Sequence, residues 1–164
     1  MSKKKKILFV FGTRPETIKL ASLIHRFKRN SKQYETLVAV TGQHKEMLGQ
    51  ALDLFDIEPN YNLAVMEYDQ DLTALTNRIL EGIADLIQQE KPDLILVQGD
   101  TTTTFAASLA GFYQSVPVAH VEAGLRSNNM FSPFPEEVNR KITSIVSHYH
   151  FPPTRESKDN LVRE

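Results

Sequence analysis

The sequence predicts the α/β class, a mostly parallel sheet with helices on both faces, and three observations carry that expectation. Apolar runs of strand length (residues 7–11, 34–40, 94–97 and 118–121) alternate with stretches of helical apolar spacing. The run from Leu94 to Val97 lacks polar alternation, as does that from Ile7 to Phe11, which suits strands buried on both faces of a parallel sheet. Polar turns follow these runs, three of them through Gly12, Gly42 and Gly99, and ligands of open α/β sheets bind beyond the carboxyl ends of the strands. A length of 164 residues falls within the roughly 100–200 residues of one domain, and no internal boundary is expected.

After the first strand, Gly12-Thr-Arg-Pro-Glu16 breaks the run, and Ile18, Leu20, Ala21, Leu23, Ile24 and Phe27 follow at helical spacing. Thr13 can cap this helix and Pro15 fits an early position. Arg14, in a glycine turn beyond a strand, can hold a phosphate or carboxylate beside helix N–H groups, with Lys19 the second group to watch; the plain alternative is a surface arginine. The run from Tyr34 to Val40 is a second strand, followed by Thr41-Gly-Gln-His44 and a helix carrying Met47, Leu48, Ala51, Leu52, Leu54 and Phe55. His44 at the helix start reads as a cap or an exposed side chain, the alternatives being a titrating switch or a general acid. A brief strand is expected over residues 63–65. Leu72, Leu75, Ile79, Leu80, Ile83, Leu86 and Ile87 then form a long covering helix between an Asp71 cap and a Lys91-Pro92 stop.

The central strand, from Leu94 to Val97, turns at Gly99 and sets Asp100 at the N-terminus of a helix capped by the threonines 101–104. Ala106, Ala107, Ser108, Ala110 and Gly111 let that helix approach the sheet, with Phe105, Leu109 and Phe112 as apolar anchors. The strand from Val118 to Val121 ends in Glu122, which repeats the placement of Asp100, and His120 within it reads as a satisfied core or loop-facing group. Residues 125–135 have no period and form a candidate active-site loop. Pro135 at an N1-like position opens a helix whose first-turn Glu136 and Glu137 are explained by capping, with Val138, Ile142, Ile145 and Val146 facing a core. His148 and His150 lack an accompanying carboxylate or cysteine cluster, so no metal is expected there. Residues 157–164 start a polar helix that reads as cut short.

Near-balanced charge argues against a nucleic-acid footprint, with Lys3 to Lys6 a solvated tail. No segment is long enough to span a membrane, and the apolar start is too short for a secretory signal. Absence of cysteine excludes disulfides within the chain and fits a reducing compartment, so the cytoplasm is expected. The P-loop, the dinucleotide glycine fingerprint, the two-histidine zinc motif and the nucleophile-elbow serine motif are all missing. The predicted topology gathers Arg14, Gln43, His44, Asp100 and Glu122 at one sheet edge, with Glu136 a further candidate. Crowded carboxylates raise one another's pKa, which suits proton abstraction and elimination, and equally allows an anion site or a clamp on sugar hydroxyls.

Five blocks taken in order, Phe-Gly-Thr-Arg-Pro-Glu16, Thr-Gly-Gln-His44, Gly-Asp-Thr-Thr-Thr-Thr104, His-Val-Glu-Ala-Gly-Leu-Arg126 and Ser-Pro-Phe-Pro-Glu-Glu-Val-Asn-Arg140, closely resemble the non-hydrolysing UDP-N-acetylglucosamine 2-epimerases. The resemblance implies a GT-B-type enzyme of two Rossmann-like domains facing across a cleft, residues 1–164 being the first; the second normally holds most of the UDP. It implies reversible inversion at C2 between UDP-N-acetylglucosamine and UDP-N-acetylmannosamine: UDP leaves by elimination to give a 2-acetamidoglucal and adds back after protonation from the opposite face. No cofactor is required, neither nicotinamide nor metal, and the family's members are expected as homodimers. By motif, Asp100, Glu122 and Glu136 are the acidic catalytic residues of this half, and Arg14 and Lys19 lie near the nucleotide or its phosphates. A histidine from the second domain completes the family's set.

Two departures, Gly42 where the family usually has alanine and Ser22 where it has proline, remove no charged group. Gln43, His44 and Glu46 mark a possible regulatory site, because some bacterial members bind a second UDP-N-acetylglucosamine as activator through positions matching Gln43, Glu46 and Asp69. Acids at the last two would repel a diphosphate, so weak activation is expected. The alternatives are a hydrolysing 2-epimerase, a GT-B glycosyltransferase domain and a non-catalytic sugar-nucleotide binding module.

Overall fold

The computed structural model describes residues 4–42, 45–65 and 70–164, leaving aside the side chains of Lys45 and Glu46. Strands and helices alternate as β1 (Lys5–Phe11), α1 (Arg14–Arg29), β2 (Tyr34–Val40), α2 (Lys45–Leu54), β3 (Tyr61–Asn62), α3 (Leu72–Glu90), β4 (Leu94–Gln98), α4 (Thr102–Tyr113), β5 (Val118–Val121), α5 (Glu136–Val146), β6 (Tyr149–Phe151) and α6 (Arg155–Arg163). All pairings are parallel, in the order β3-β2-β1-β4-β5-β6. The order reverses between β1 and β4, which opens a crevice at their carboxyl ends.

Period-2 alternation along the strands sorts the core into two layers. Leu8 and Val10 of β1 join Ile95 and Val97 of β4 against Leu75, Ile79 and Ile83 of α3 and Ala106, Ala107 and Ala110 of α4. Ile7, Phe9 and Phe11 face the opposite way, onto Leu20 and Ile24 of α1 and Leu48 and Leu52 of α2. Helices on both faces follow directly. Asp71 caps α3 by accepting from the Ala74 N–H at 2.7 Å, and Lys91 ends that helix in the left-handed region at φ 50.

Several expectations are corrected. The short strand falls at Tyr61 and Asn62, not 63–65, because Ala64 leaves the ladder with φ 47. Lys5 and Lys6 are not a solvated tail: both lie in β1, Lys5 pairing with Asp93 at 2.9 Å and Lys6 with Glu90 at 2.9 Å. In α4 the contact with the sheet belongs to the small residues, while Phe112 faces outward at 52% exposure. Pro135 is the N-cap of α5, one place before its first residue, and α6 starts two residues earlier than expected, after a Thr154 cap. Tyr149, His150 and Phe151 form β6, a strand absent from the sequence reading.

The largest difference lies in α5. Val146 is buried as expected, but Ile145 is 81% exposed, and the buried face consists of Glu137, Asn139, Thr143 and Ser144. The reason is its neighbour: α5 packs on α4 and reaches Asp100 through Asn139, so its inward face meets polar backbone rather than an apolar layer.

Candidate active site

Two turns meet at the crevice. The β1–α1 turn is held by Glu16, whose Oε2 accepts the N–H groups of Gly12 at 3.0 Å and Thr13 at 2.7 Å. Its other oxygen, Oε1, accepts the Thr101 hydroxyl of the β4–α4 turn at 2.9 Å. Glu16 is 2% exposed, and burial raises its pKa against the lowering effect of these donors. Thr101 caps α4 by accepting from the Thr104 N–H, and the Thr104 hydroxyl donates to the Gln98 carbonyl at 2.6 Å. The threonine run thus folds back on the strand end, leaving Asp100 at the rim.

Asp100 and Glu122 come together there as the sequence predicts. Asp100 Oδ2 lies 2.7 Å from Arg140, and its backbone carbonyl accepts from Asn139 at 3.0 Å. Burial raises the Asp100 pKa; the Arg140 charge opposes this, while Glu136 and Glu122 add to it and Lys19 lowers it. Glu122 sits in the left-handed region at φ 66, a conformation costing a non-glycine residue on the order of 1 kcal/mol or more and found most often where a site requires it. Both its carboxylate oxygens accept from Lys19 at 2.6 Å, and Oε2 also accepts from the Gln98 side chain. Lys19 reaches from α1, so two strand ends and one helix supply the cluster.

The β5–α5 connection closes the site on one side. Glu137, 0% exposed, accepts the N–H groups of Ser127 at 3.0 Å and Asn128 at 3.1 Å, and its Oε2 lies 3.4 Å from Arg140. Burial pushes the Glu137 pKa up, but the two N–H bonds and the Arg140 charge outweigh it and the net shift is downward. His120, fully buried, donates from Nε2 to the Gly99 carbonyl at 2.7 Å. His120 is therefore a core histidine bonded through one ring nitrogen only; burial lowers its pKa to about 4, and its ring stays neutral.

Three polar atoms around the crevice have no hydrogen-bond partner although buried: Glu136 Oε2, Arg140 Nε and His120 Nδ1. Unsatisfied buried groups of this kind mark a place where a ligand or water completes the bonding. Arg14 stands apart from the cluster, exposed at the start of α1 and lining a shallow hollow with Ile18, Gln50 and Leu54. Gln43, His44 and Asp69 lie outside the described residues, as does the side chain of Glu46. Sequence reasoning missed Glu16, Gln98, Asn139 and Arg140, and read Glu137 as ordinary helix-start chemistry. The Thr13-x-x-Glu16 spacing of a capping box was the available signal for the first. Among the described residues no helix is long and apolar enough to cross a membrane, and no group of three or more His, Asp or Glu side chains is placed to hold a metal ion.

Fold and crevice define an α/β domain of the Rossmann-like class, with acids of contrasting environment at a topological switch point. Comparison with known proteins makes that class specific. A family model described as UDP-N-acetylglucosamine 2-epimerase matches residues 26–164, and the chain belongs to that family. The UDP-N-acetylglucosamine 2-epimerase of Yersinia pestis is 55% identical over 97% of this chain, and that of Escherichia coli K12 is 54% identical over 97%. The crystal structure of the Neisseria meningitidis 2-epimerase bound to UDP-N-acetylglucosamine superposes with a TM-score of 0.91 at 51% identity, over 96% of this chain and 43% of that one. The Methanocaldococcus jannaschii 2-epimerase, in complex with UDP-N-acetylglucosamine and UDP, gives 0.90 at 36% identity, over 96% and 43%. The chain spans 42% of the length of these curated relatives.

Proposed function

We propose that this chain forms the N-terminal, Rossmann-like half of a two-domain GT-B-type enzyme that interconverts UDP-N-acetylglucosamine and UDP-N-acetylmannosamine without hydrolysis. The observation that supports it best is the pairing of Asp100 with Glu122. Epimerisation by elimination needs one group to take the C2 proton while the C1–O bond breaks toward UDP, and a proton to return to C2 from the other face as UDP adds back. Asp100, inclined by burial to keep a proton, suits the donor. Glu122 accepts through both oxygens and suits the base. Glu136, with an unpartnered buried oxygen, is the third acid. Arg14 and Lys19 contribute positive charge toward the nucleotide, Lys19 also orienting Glu122. Elimination and re-addition leave the oxidation state unchanged, so the reaction consumes no redox cofactor.

The partner of this half is a second domain that holds UDP and supplies a histidine, in a homodimeric, cytoplasmic protein. With Glu46 and Asp69 at the regulatory positions, activation by a second UDP-N-acetylglucosamine is weak: a reverse reaction started from UDP-N-acetylmannosamine shows no lag that a trace of UDP-N-acetylglucosamine abolishes. The central test incubates the full-length protein with UDP-N-acetylglucosamine in deuterated water and separates the products. UDP-N-acetylmannosamine carrying deuterium at C2 is expected. Free N-acetylmannosamine with UDP would replace this reading by the hydrolysing one, and transfer of the sugar to an acceptor by a glycosyltransferase. The 164-residue segment alone is expected to be inactive, and turnover by it would overturn the division of the cleft.

A further inference from the structure

We propose that Glu16 is a positioning residue whose carboxylate ties the β1–α1 turn to the β4–α4 turn and so fixes Asp100 relative to Lys19. The inference rests on the reading of Asp100 as catalytic. A helix cap needs only one of the two oxygens, and Oε2 does that work on Gly12 and Thr13. Oε1 turns instead to Thr101, 85 positions further along the chain and adjacent to Asp100. One turn beyond Glu16 on the same helix, Lys19 bonds both oxygens of Glu122. Helix α1 therefore carries the lysine of the site and the acid that locks α1 to the Asp100 turn. At 2% exposure, water has no access to replace the lock.

The bonding also predicts that the lock does not depend on charge. The Thr104 hydroxyl donates to the Gln98 carbonyl at 2.6 Å and only weakly toward Glu16 Oε1 at 3.3 Å, so its oxygen has room to accept a bond from an amide placed there. A glutamine amide fits this arrangement. Its carbonyl oxygen accepts from Gly12 and Thr13, and its two N–H groups donate to the hydroxyl oxygens of Thr101 and Thr104.

The test measures kcat and KM for UDP-N-acetylglucosamine in the full-length protein and in E16A, E16Q, T101V and E16A/T101V, with Thr101→Ser as the variant that keeps the hydroxyl. Loosening the Asp100 turn is expected to lower kcat roughly 10-fold in E16A and in T101V, with KM within about twofold. The double variant is expected to be no slower than either single one, since both remove the same tie. E16Q and Thr101→Ser are expected to restore kcat to within about twofold of wild type. Wild-type kcat in T101V, multiplying effects in the double variant, or an E16Q as slow as E16A would each overturn the proposal, leaving a helix cap or a charge effect. Melting temperatures of the same proteins separate this from the wider functional reading. If the wild type leaves the substrate unchanged, non-additive losses in E16A and T101V still support the tie, and additive losses overturn it.

Discussion

Glu16 and Glu137 occupy matching places with opposite outcomes. Each lies in the first turn of a helix, is nearly inaccessible, and accepts two backbone N–H groups. Around Glu16 the further donor is a neutral hydroxyl, and burial prevails, raising its pKa. Around Glu137, which is covered but set less deeply than Glu16, two backbone N–H groups and Arg140 outweigh burial, and the pKa is lowered. Depth and neighbours together set the direction in which a covered carboxylate shifts. One region is a hydrogen-bonded tie beneath Asp100 and Glu122, the other an ionic clasp beside them.

Four experiments strain this contrast. The largest effect is expected in the acids that the scaffold carries: Asp100→Asn or Glu122→Gln in the full-length protein should lower turnover by roughly 10²–10⁴-fold with melting nearly unchanged. Wild-type turnover would reassign that carboxylate to capping. Next, Glu137→Ala should cost about 3–5 kcal/mol in urea denaturation, because it strips one partner from the largely buried Arg140 and leaves the N–H groups of Ser127 and Asn128 unpaired. A loss below about 1 kcal/mol would place the clasp among ordinary surface pairs.

The amide variants sharpen the comparison. At pH 7, Glu137→Gln should lose roughly 2 kcal/mol with its charge-assisted bonds, while Glu16→Gln should stay within about 0.5 kcal/mol of wild type or gain stability. Linkage points the same way. The lowered pKa of Glu137 gives stability present above the ordinary value of 4.5 and lost as pH falls through the folded value. The raised pKa of Glu16 gives stability fully present below 4.5 and lost as pH rises through its folded value. Equal losses in the two amide variants would erase the distinction.

The third buried group, His120, titrates apart from both. Its folded pKa of about 4 lies below the ordinary 6.5, so the unfolded chain takes up the proton first. Stability should fall by roughly 2 kcal/mol between pH 7 and pH 5, and His120→Gln, which can still donate to the Gly99 carbonyl, should flatten that slope. An unchanged slope would move the acid sensitivity elsewhere.

The pattern of apolar runs made the fold legible, because strands such as β1 and β4 and the long α3 bury side chains at fixed periods. The placement of Asp100 and Glu122 was legible for the same reason: a residue just past a buried parallel strand has only the carboxyl edge to occupy. Arg140 and Asn139 were not, since their partner Asp100 is some 40 positions away and no local period records that distance. In α5 the pattern misled, because Ile145 was counted inward while the inward face answers polar backbone. Gly42, noted as a departure, has a local cause: its φ is +70, and an added Cβ would come within 3.2 Å of the Asn62 side chain.

The sheet ends in a strand of two residues, β3, on one side and of three, β6, on the other. Borders this short present few free N–H and carbonyl groups to another chain. Lengthening the sheet across a subunit boundary would therefore gain little bonding, and self-association by the full-length protein should use its helical flanks.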